Sequence, residues 1–444
     1  MEYIYNGYEL NEGQTRAVNA ALSGKNIFIT GSAGTGKSVA LKSVVKELDK
    51  AGKQVIVCAP SGVAANNING STIHRTFYAD TGFLYTEAKE IAVKGNNNPL
   101  MIMDTLVIDE ISMCRLDLFE YVMKTVAYIN RRRKNKRKMA KGKTEPVQII
   151  VCGDFSQLPP IVSNRKRGGG PSDRDLFAKY YGNEATDGFC FRSLYWDKCG
   201  FTTIYLTAPI RQENADFVQA LDLIKFGDAR GLSYINKNCA KKQTAENAIF
   251  LCGYNRTADR INDDKLGRIK GRSKWFVSDE EGEVKNGDKR VADEICLKKG
   301  CRVMAAANSL DYSNGEMGTV VSLDPLKVKF DSGKTCEICR KKWVFSKYEI
   351  KTDENGKEII GREKMGEYTQ IPLKIGYAVT VHKSQGLTFD DIVFYPEIFT
   401  EGQLYVALSR VRDINRLRLK RPLEPDDVLS FDSVKEFYDD IDRG

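Results

Sequence analysis

Short apolar runs alternate with amphipathic stretches through the first half of this 444-residue chain. Asn26-Ile27-Phe28-Ile29-Thr30 reads as a buried strand, and Val39, Leu41, Val44, Val45 and Leu48 recur behind it at helical spacing. Ala51-Gly52 ends that helix, and Gln54-Val55-Ile56-Val57-Cys58-Ala59 forms a second parallel-type strand that stops at Pro60-Ser61-Gly62. Leu106-Val107-Ile108 and Val147 to Cys152 repeat the strand pattern, with a helix between them carried by Leu116, Phe119, Val122, Met123, Val126 and Ile129. Upstream, Asn11 is placed to cap a short amphipathic helix. Tyr78 to Asp104 breaks the alternation, with a turn at Gly95-Asn96-Asn97-Asn98-Pro99, and reads as a small insertion.

The second half begins again with a strand, Ala248 to Cys252, and a helix from Ala258 onward. The pattern then changes to short strands with tight turns at Cys301 to Met304, Asn314 to Val321, Leu326 to Phe330 and Trp343 to Ile350. Ile371-Pro372-Leu373-Lys374 returns the chain to the main sheet.

The loop after the first strand carries the chemistry. Gly31-Ser32-Ala33-Gly34-Thr35-Gly36-Lys37-Ser38 fits the phosphate-cradling pattern of glycine, four residues, glycine, lysine and a hydroxyl residue, in the strand, loop and helix context that the motif requires. Glycines let the backbone approach phosphate oxygens, and helix N-terminal amides point at the anion. Lys37 is placed for the β- and γ-phosphates and Ser38 for Mg²⁺. Asp109-Glu110, closing the third strand, reads as a Walker B pair: Asp109 for the Mg²⁺ shell and Glu110 to orient and deprotonate the attacking water. Gln157, beyond the fourth strand, is placed to sense the γ-phosphate, and Gln14 to meet an adenine edge.

Composition narrows the partner. Sixty-eight Lys plus Arg against 59 Asp plus Glu leave a net charge of +9, which leans toward a polyanion such as nucleic acid. A 42% hydrophobic content over this length supports cores for two or three domains. No run of 18 apolar residues predicts a membrane span. The 11 cysteines are odd in number and Met1 to Leu10 lacks an apolar leader, so reduced thiols inside the cell are expected, in the cytoplasm of a bacterial or viral host or the nucleus or mitochondrion of a eukaryote. Cys336-Glu337-Ile338-Cys339, with Cys296 and Cys301, has partial zinc-site spacing, but Cys301 opens a core strand and free cysteines favour burial.

The order G-S-A-G-T-G-K-S, D-E-I-S-M, G-D-F-S-Q-L-P-P resembles the superfamily 1 helicases, and within them the 5′ to 3′ branch of the Pif-one and RecD type. Leu206-Thr207-Ala208-Pro209-Ile210-Arg211-Gln212 looks like motif IV, Val379 to Gly386 like motif V, and Tyr405-Val406-Ala407-Leu408-Ser409-Arg410 like motif VI. The resemblance implies an α/β fold of two RecA-like P-loop domains with parallel sheets, at 1–206 and at 207–300 with 372–444. It also implies a wedge insertion at 78–104 and a small barrel of Src-homology-three type at 301–371. It makes Lys37, Glu110, Gln157, Arg211 and Arg410 catalytic, the two arginines as fingers on the γ-phosphate. Gln14, Gly31 to Ser38 and Gly386 would contact ATP; Ser61, Thr72, His74, Thr380, His382 and Lys383 would contact single-stranded DNA.

Two basic segments lengthen the connections: Arg131 to Lys143, within a 131–145 insertion, and Asn164 to Gly170. Each is either a solvated insertion or a contact to duplex or displaced strand. The expected activity is ATP- and Mg²⁺-dependent unwinding by a free monomer acting on single-stranded, forked or tailed DNA, with no membrane partner. A translocase that strips protein or RNA without unwinding, and a nucleotide-gated binding switch, are the alternatives. No Asn-Lys-x-Asp guanine-reading motif is present to favour the switch.

Overall fold

The computed structural model describes residues 3–5, 7–85, 98–138, 145–165, 170–207, 212, 214–239 and 247–443. The chain forms two compact units, one of Met1–Phe155, Pro159–Pro209 and Ser346–Lys364, the other of Ser156–Leu158, Ile210–Phe345 and Met365–Gly444.

The first unit is an α/β layer structure. Its elements are α1 (Glu12–Leu22), β1 (Ile27–Gly31), α2 (Lys37–Lys50), β2 (Val55–Ala59), α3 (Gly62–Asn67), β3 (Ser71–Thr72), α4 (Ile73–Phe77), β4 (Thr105–Ile108), α5 (Leu116–Lys138), β5 (Gln148–Cys152), α6 (Asp173–Tyr181), α7 (Leu194–Cys199) and β6 (Thr202–Leu206). The six strands are parallel, in the order β3-β2-β4-β5-β1-β6. Every residue of β1, β4 and β5 is buried, so both faces of the sheet are covered, as the unbroken apolar runs require. The order reverses at β1, which lies between β5 and β6, and sites in open parallel sheets form at the carboxyl ends of strands beside such a reversal. Asn11 caps α1 in a reciprocal capping box with Gln14, as its position predicts.

The basic run from Arg131 continues α5 to Lys138. Within it Arg133 is buried and donates to the carbonyl oxygens of Met101, Met103 and Glu145, so this arginine closes off chain ends of its own unit. Residues 139–144 and 166–169 of the two basic segments, and 86–97 of the 78–104 insertion, lie outside the described residues.

The second unit holds α8 (Ala215–Lys225), α9 (Gly231–Asn238), β7 (Ile249–Cys252), α10 (Asn255–Arg268), β8 (Ser273–Val277), β9 (Asp279–Gly282), β10 (Glu294–Lys298), β11 (Arg302–Ala305), β12 (Met317–Leu323), β13 (Leu326–Phe330) and β14 (Thr335–Glu337). The hairpin strands β15 (Lys341–Thr352) and β16 (Glu358–Gln370) follow, then β17 (Leu373–Ile375), β18 (Ala378–Thr380), β19 (Ile392–Phe394), α11 (Gln403–Leu408), β20 (Leu417–Leu419) and α12 (Asp432–Arg443). A four-stranded parallel sheet runs β18-β7-β19-β20. A five-stranded antiparallel sheet runs β14-β13-β12-β11-β17 around a core that includes Leu297, Val303, Val320, Val328, Phe330, Tyr368 and Leu373. Cys301 and Cys336 are buried in that core and Cys339 is exposed; among the described residues no group of three His, Cys, Asp or Glu is placed to hold a metal ion. The outer part of the β15–β16 hairpin, Ser346–Lys364, groups with the first unit, where Ile360 N donates to Gln54 Oε1 at 2.6 Å.

Candidate functional site

The loop between β1 and α2 takes its shape from two glycines. Gly31 has φ +144° and any Cβ there would strike the Leu206 carbonyl oxygen; Gly36 caps α2 at φ +84° with no side-chain cap, leaving first-turn amides without that acceptor. Thr35 Oγ1 donates to Ser32 O at 2.9 Å and stiffens the loop. Lys37 Nζ donates to Gly31 O at 2.7 Å and Ser32 O at 3.0 Å, so its ammonium is held over the loop's own backbone. Ser38 is exposed in the first turn of α2, while Ala33 is buried and Ser32 and Gly34 half-buried.

Gln14 is used at both ends of its amide. Its Oε1 accepts from Asn11 N at 3.1 Å and its Nε2 donates to Gly36 O at 3.3 Å, which ties α1 to the loop. It is only 4% exposed.

At the end of β4, Asp109 Oδ1 accepts from Glu110 N at 2.9 Å. Burial pushes the Asp109 carboxyl up from the usual range, against the Glu110 amide, the Cys152 thiol and the charges of Lys37 and Lys42, which pull it down. Lys37 and Asp109, far apart in sequence, are therefore close enough to interact electrostatically. Glu110 itself sits in the left-handed region, φ +50° and ψ +47°, a conformation costing a non-glycine residue on the order of 1 kcal/mol or more. Gly153, after β5, passes so close that a Cβ would lie 2.9 Å from Ile111 N. Gln157 is buried in the segment Ser156–Leu158 that groups with the second unit, and Gln385 Nε2 of that unit lies 3.5 Å from its Oε1.

In the second unit Arg410, two residues past the end of α11, is 1% exposed. Its guanidinium donates to Val406 O, Ser384 O, Leu387 O and Ser409 Oγ, which fastens motif VI to the turn of motif V. Gly386 ends that turn at φ +79°. Arg211 lies outside the described residues.

The residues expected to meet a nucleic-acid strand divide by role. Ser61 and Thr72 are N-caps, their hydroxyls accepting from Ala64 N and Arg75 N, and His74 stands half-buried in α4. Thr380 is buried, its hydroxyl accepting from Lys383 N at 3.4 Å, while Lys383 is exposed. The His382 ring stacks on Phe399, centroids 5.8 Å apart at 9°, and Phe399 stacks on Tyr254 at 4.7 Å and 18°. Burial holds the His382 imidazole below its ordinary pKa, which favours the neutral ring.

Tyr254 and Phe399 were not visible as partners of His382 from sequence. Each follows a strand of the same parallel sheet, and only the adjacency of β7, β18 and β19 brings the three rings together. Tyr254, an aromatic just past the end of the apolar run Ala248 to Cys252, is the sequence signal that could have marked the position.

The family described as PIF1-like helicase matches residues 9–171. The ATP-dependent DNA helicase PIF1 of Xenopus laevis is 31% identical over 458 residues, covering 98% of this chain and 65% of the relative. The ATP-dependent DNA helicase Pif1 of Campylobacter jejuni is 29% identical over 461 residues, covering 93% of this chain and 94% of the relative. The chain thus spans just under two thirds of the frog protein and nearly all of the bacterial one. The crystal structure of Bacteroides sp Pif1 in complex with ADP-AlF4 aligns with a TM-score of 0.83 at 27% identity, over 98% of this chain and 97% of that one. The Candida albicans Pif1 helicase structure aligns at 0.69 and 26%, over 97% and 99%. The order of motifs, the parallel sheet that carries the phosphate loop and these full-length likenesses agree: the chain belongs to the PIF1-like family of superfamily 1B helicases.

Proposed function

We propose that this chain is an ATP-dependent DNA helicase that moves 5′ to 3′ on single-stranded DNA and separates the duplex ahead of it. The observation that carries the reading is the phosphate loop with Lys37 held over its backbone at the end of β1, in the same parallel sheet whose β4 ends in Asp109 and Glu110. Relatives named as ATP-dependent DNA helicases, Bacteroides Pif1 structures described with ADP-AlF4 and with single-stranded DNA, and a Pif1 structure described at forked duplex support it.

In this reading the loop amides and Lys37 bind the phosphates of ATP, and Glu110 orients the attacking water and takes its proton. The left-handed backbone at Glu110 aims its side chain independently of the strand it follows. Ser38 and Asp109 present a hydroxyl and a carboxylate, the oxygen donors that suit Mg²⁺, and a magnesium ion held there would offset charge on the triphosphate. Arg410 and Arg211 act as arginine fingers, and Gln157 senses the γ-phosphate. Asn11 and Gln14 brace the loop, with the remaining Gln14 amide hydrogen directed to adenine.

Single-stranded DNA is bound by the second unit through base stacking on Tyr254, an end ring of the stack that Phe399 and His382 support, and through Lys383. The antiparallel sheet around β11 to β14 is the small inserted barrel of Src-homology-three type, and 78–104 the strand-separating wedge. The free protein is a monomer and acts inside the cell; among the described residues no helix is long and apolar enough to cross a membrane.

The test is a directional unwinding assay with one duplex carrying either a 5′ or a 3′ single-stranded tail. ATP-dependent strand separation from the 5′-tailed substrate alone is expected. Unwinding from the 3′ tail overturns the polarity, and ATPase that single-stranded DNA leaves unchanged overturns the helicase reading.

A further inference from the structure

α11 ends at Leu408, and backbone carbonyls at a helix end need donors from elsewhere. Three carbonyls in a row just past it are met by distant parts of the chain. Gln212 Nε2 donates to Ser409 O at 3.2 Å and to Val411 O at 3.0 Å, and Phe389 N donates to Arg410 O at 3.0 Å. One side chain, 197 residues from Ser409 in the sequence, therefore pins the main chain on both sides of Arg410.

The setting is dry. Gln212 is 4% exposed and Ser409, Arg410 and Val411 are buried, so water has no access to replace a lost donor and each loss leaves a carbonyl unmet. Glutamine suits the position because its NH2 carries two N–H groups, one for each carbonyl; methionine, of similar length, has none. The guanidinium of Arg410 is bonded separately, to Val406 O, Ser384 O, Leu387 O and Ser409 Oγ. Those bonds hold the side chain, whereas Gln212 holds the backbone from which it springs.

An arginine finger works by placement on the transferring phosphoryl group, and a displacement of about 1 Å costs on the order of 10²-fold in rate. We propose that Gln212 is a positioning residue for ATP hydrolysis: its amide fixes the Ser409–Val411 backbone, and so the place of Arg410, by joining motif IV to motif VI. The inference rests on the reading of Arg410 as an arginine finger and deepens it.

The test measures oligothymidylate-stimulated ATPase for wild type, Gln212→Met, Arg410→Ala and the double variant. Turnover is expressed per molecule that binds a labelled oligothymidylate, and single-turnover assays with protein in excess keep the slow variants measurable. Gln212→Met should lower kcat by about 10- to 100-fold, while KM for ATP and strand affinity stay within about two-fold, because the interaction serves the transition state rather than binding. In the Arg410→Ala background the same change should cost less than about two-fold, since the two residues act as a unit. Thermal melts check the fold; Gln212→Asn, whose amide is one methylene short of the carbonyls, takes the place of a methionine variant that does not fold, with the same outcomes. Wild-type kcat in the folded Gln212 variant, an equal loss in the Arg410→Ala background, or a matching loss of strand affinity each overturns the inference. Wild-type turnover by Arg410→Ala overturns the finger reading together with the inference, whereas a crippled Arg410→Ala beside a fully active Gln212 variant overturns the inference alone.

Discussion

The Tyr348 hydroxyl accepts from the amide of Val57 at 2.9 Å and donates to the carbonyl oxygen of the same residue at 2.8 Å. It completes a strand edge. β3 pairs only with Cys58 and Ala59, so the next backbone position of β2 on that side is satisfied by a side chain instead. Arg362 lies over the Tyr348 ring at 4.7 Å and donates to its hydroxyl at 3.1 Å. Replacing Tyr348 by Phe leaves a buried N–H and C=O without partners, and should cost about 1–3 kcal/mol in urea unfolding. An unchanged midpoint and slope would show that water replaces the hydroxyl at no cost.

Lys37→Ala should reduce ATP turnover by at least ~100-fold, since a donor aimed at transferring phosphate has no substitute in the loop. Its two acceptors are backbone carbonyls at the loop mouth, so the melting temperature should hold within a degree or two, roughly the effect of an exposed substitution. ATPase assays and a thermal melt on one preparation separate chemistry from folding. Turnover near wild type would remove Lys37 from the reaction.

At Glu110 the backbone offers a sharper separation. Asparagine tolerates the left-handed region better than glutamate but supplies no carboxylate. Glu110→Asn should therefore lose about 10²- to 10⁴-fold in turnover, with thermal stability held or raised. A variant that hydrolyses ATP normally would move the base elsewhere.

Lys374 makes stability depend on pH in a defined direction. Its folded value of about 8 lies below the ordinary lysine value of 10.5, so between those limits the unfolded chain binds more protons and stability rises with pH. Below about 8 both states are charged and the full penalty is present. Lys374→Met should accordingly be more stable than wild type at pH 7, with the advantage shrinking toward pH 10. Denaturant titrations of both proteins at several pH values give the difference directly, and a constant gap would place the lysine in an unperturbed setting.

Phe399→Ala removes the middle ring of the Tyr254–Phe399–His382 stack. Loss of about 1–3 kcal/mol in single-strand affinity is expected from one stacked base, with little change in DNA-free ATPase. Equal binding by anisotropy would assign the stack to the core alone.

The apolar runs by themselves determined four of the six strands of the first sheet. Ile27 to Ile29, Ile56 to Ala59, Leu106 to Ile108 and Ile149 to Cys152 are buried on both faces, and a strand with no solvent side carries its assignment in composition alone. The phosphate loop and the Asp109-Glu110 pair were legible for a related reason, because their function depends on residue spacing within one strand, loop and helix unit. Asn11 was legible as a cap because capping is local. The basic run from Arg131 was read only as charge; that its helix continues to Lys138 and that Arg133 is buried against three carbonyl oxygens depends on which chain ends come to rest beside α5. Likewise Tyr348 beneath the edge of β2 and the rings around Phe399 each join segments tens to hundreds of residues apart. Sequence periodicity encodes which face of an element is buried, but such pairings are fixed by strand order and register, and these only the tertiary structure decided.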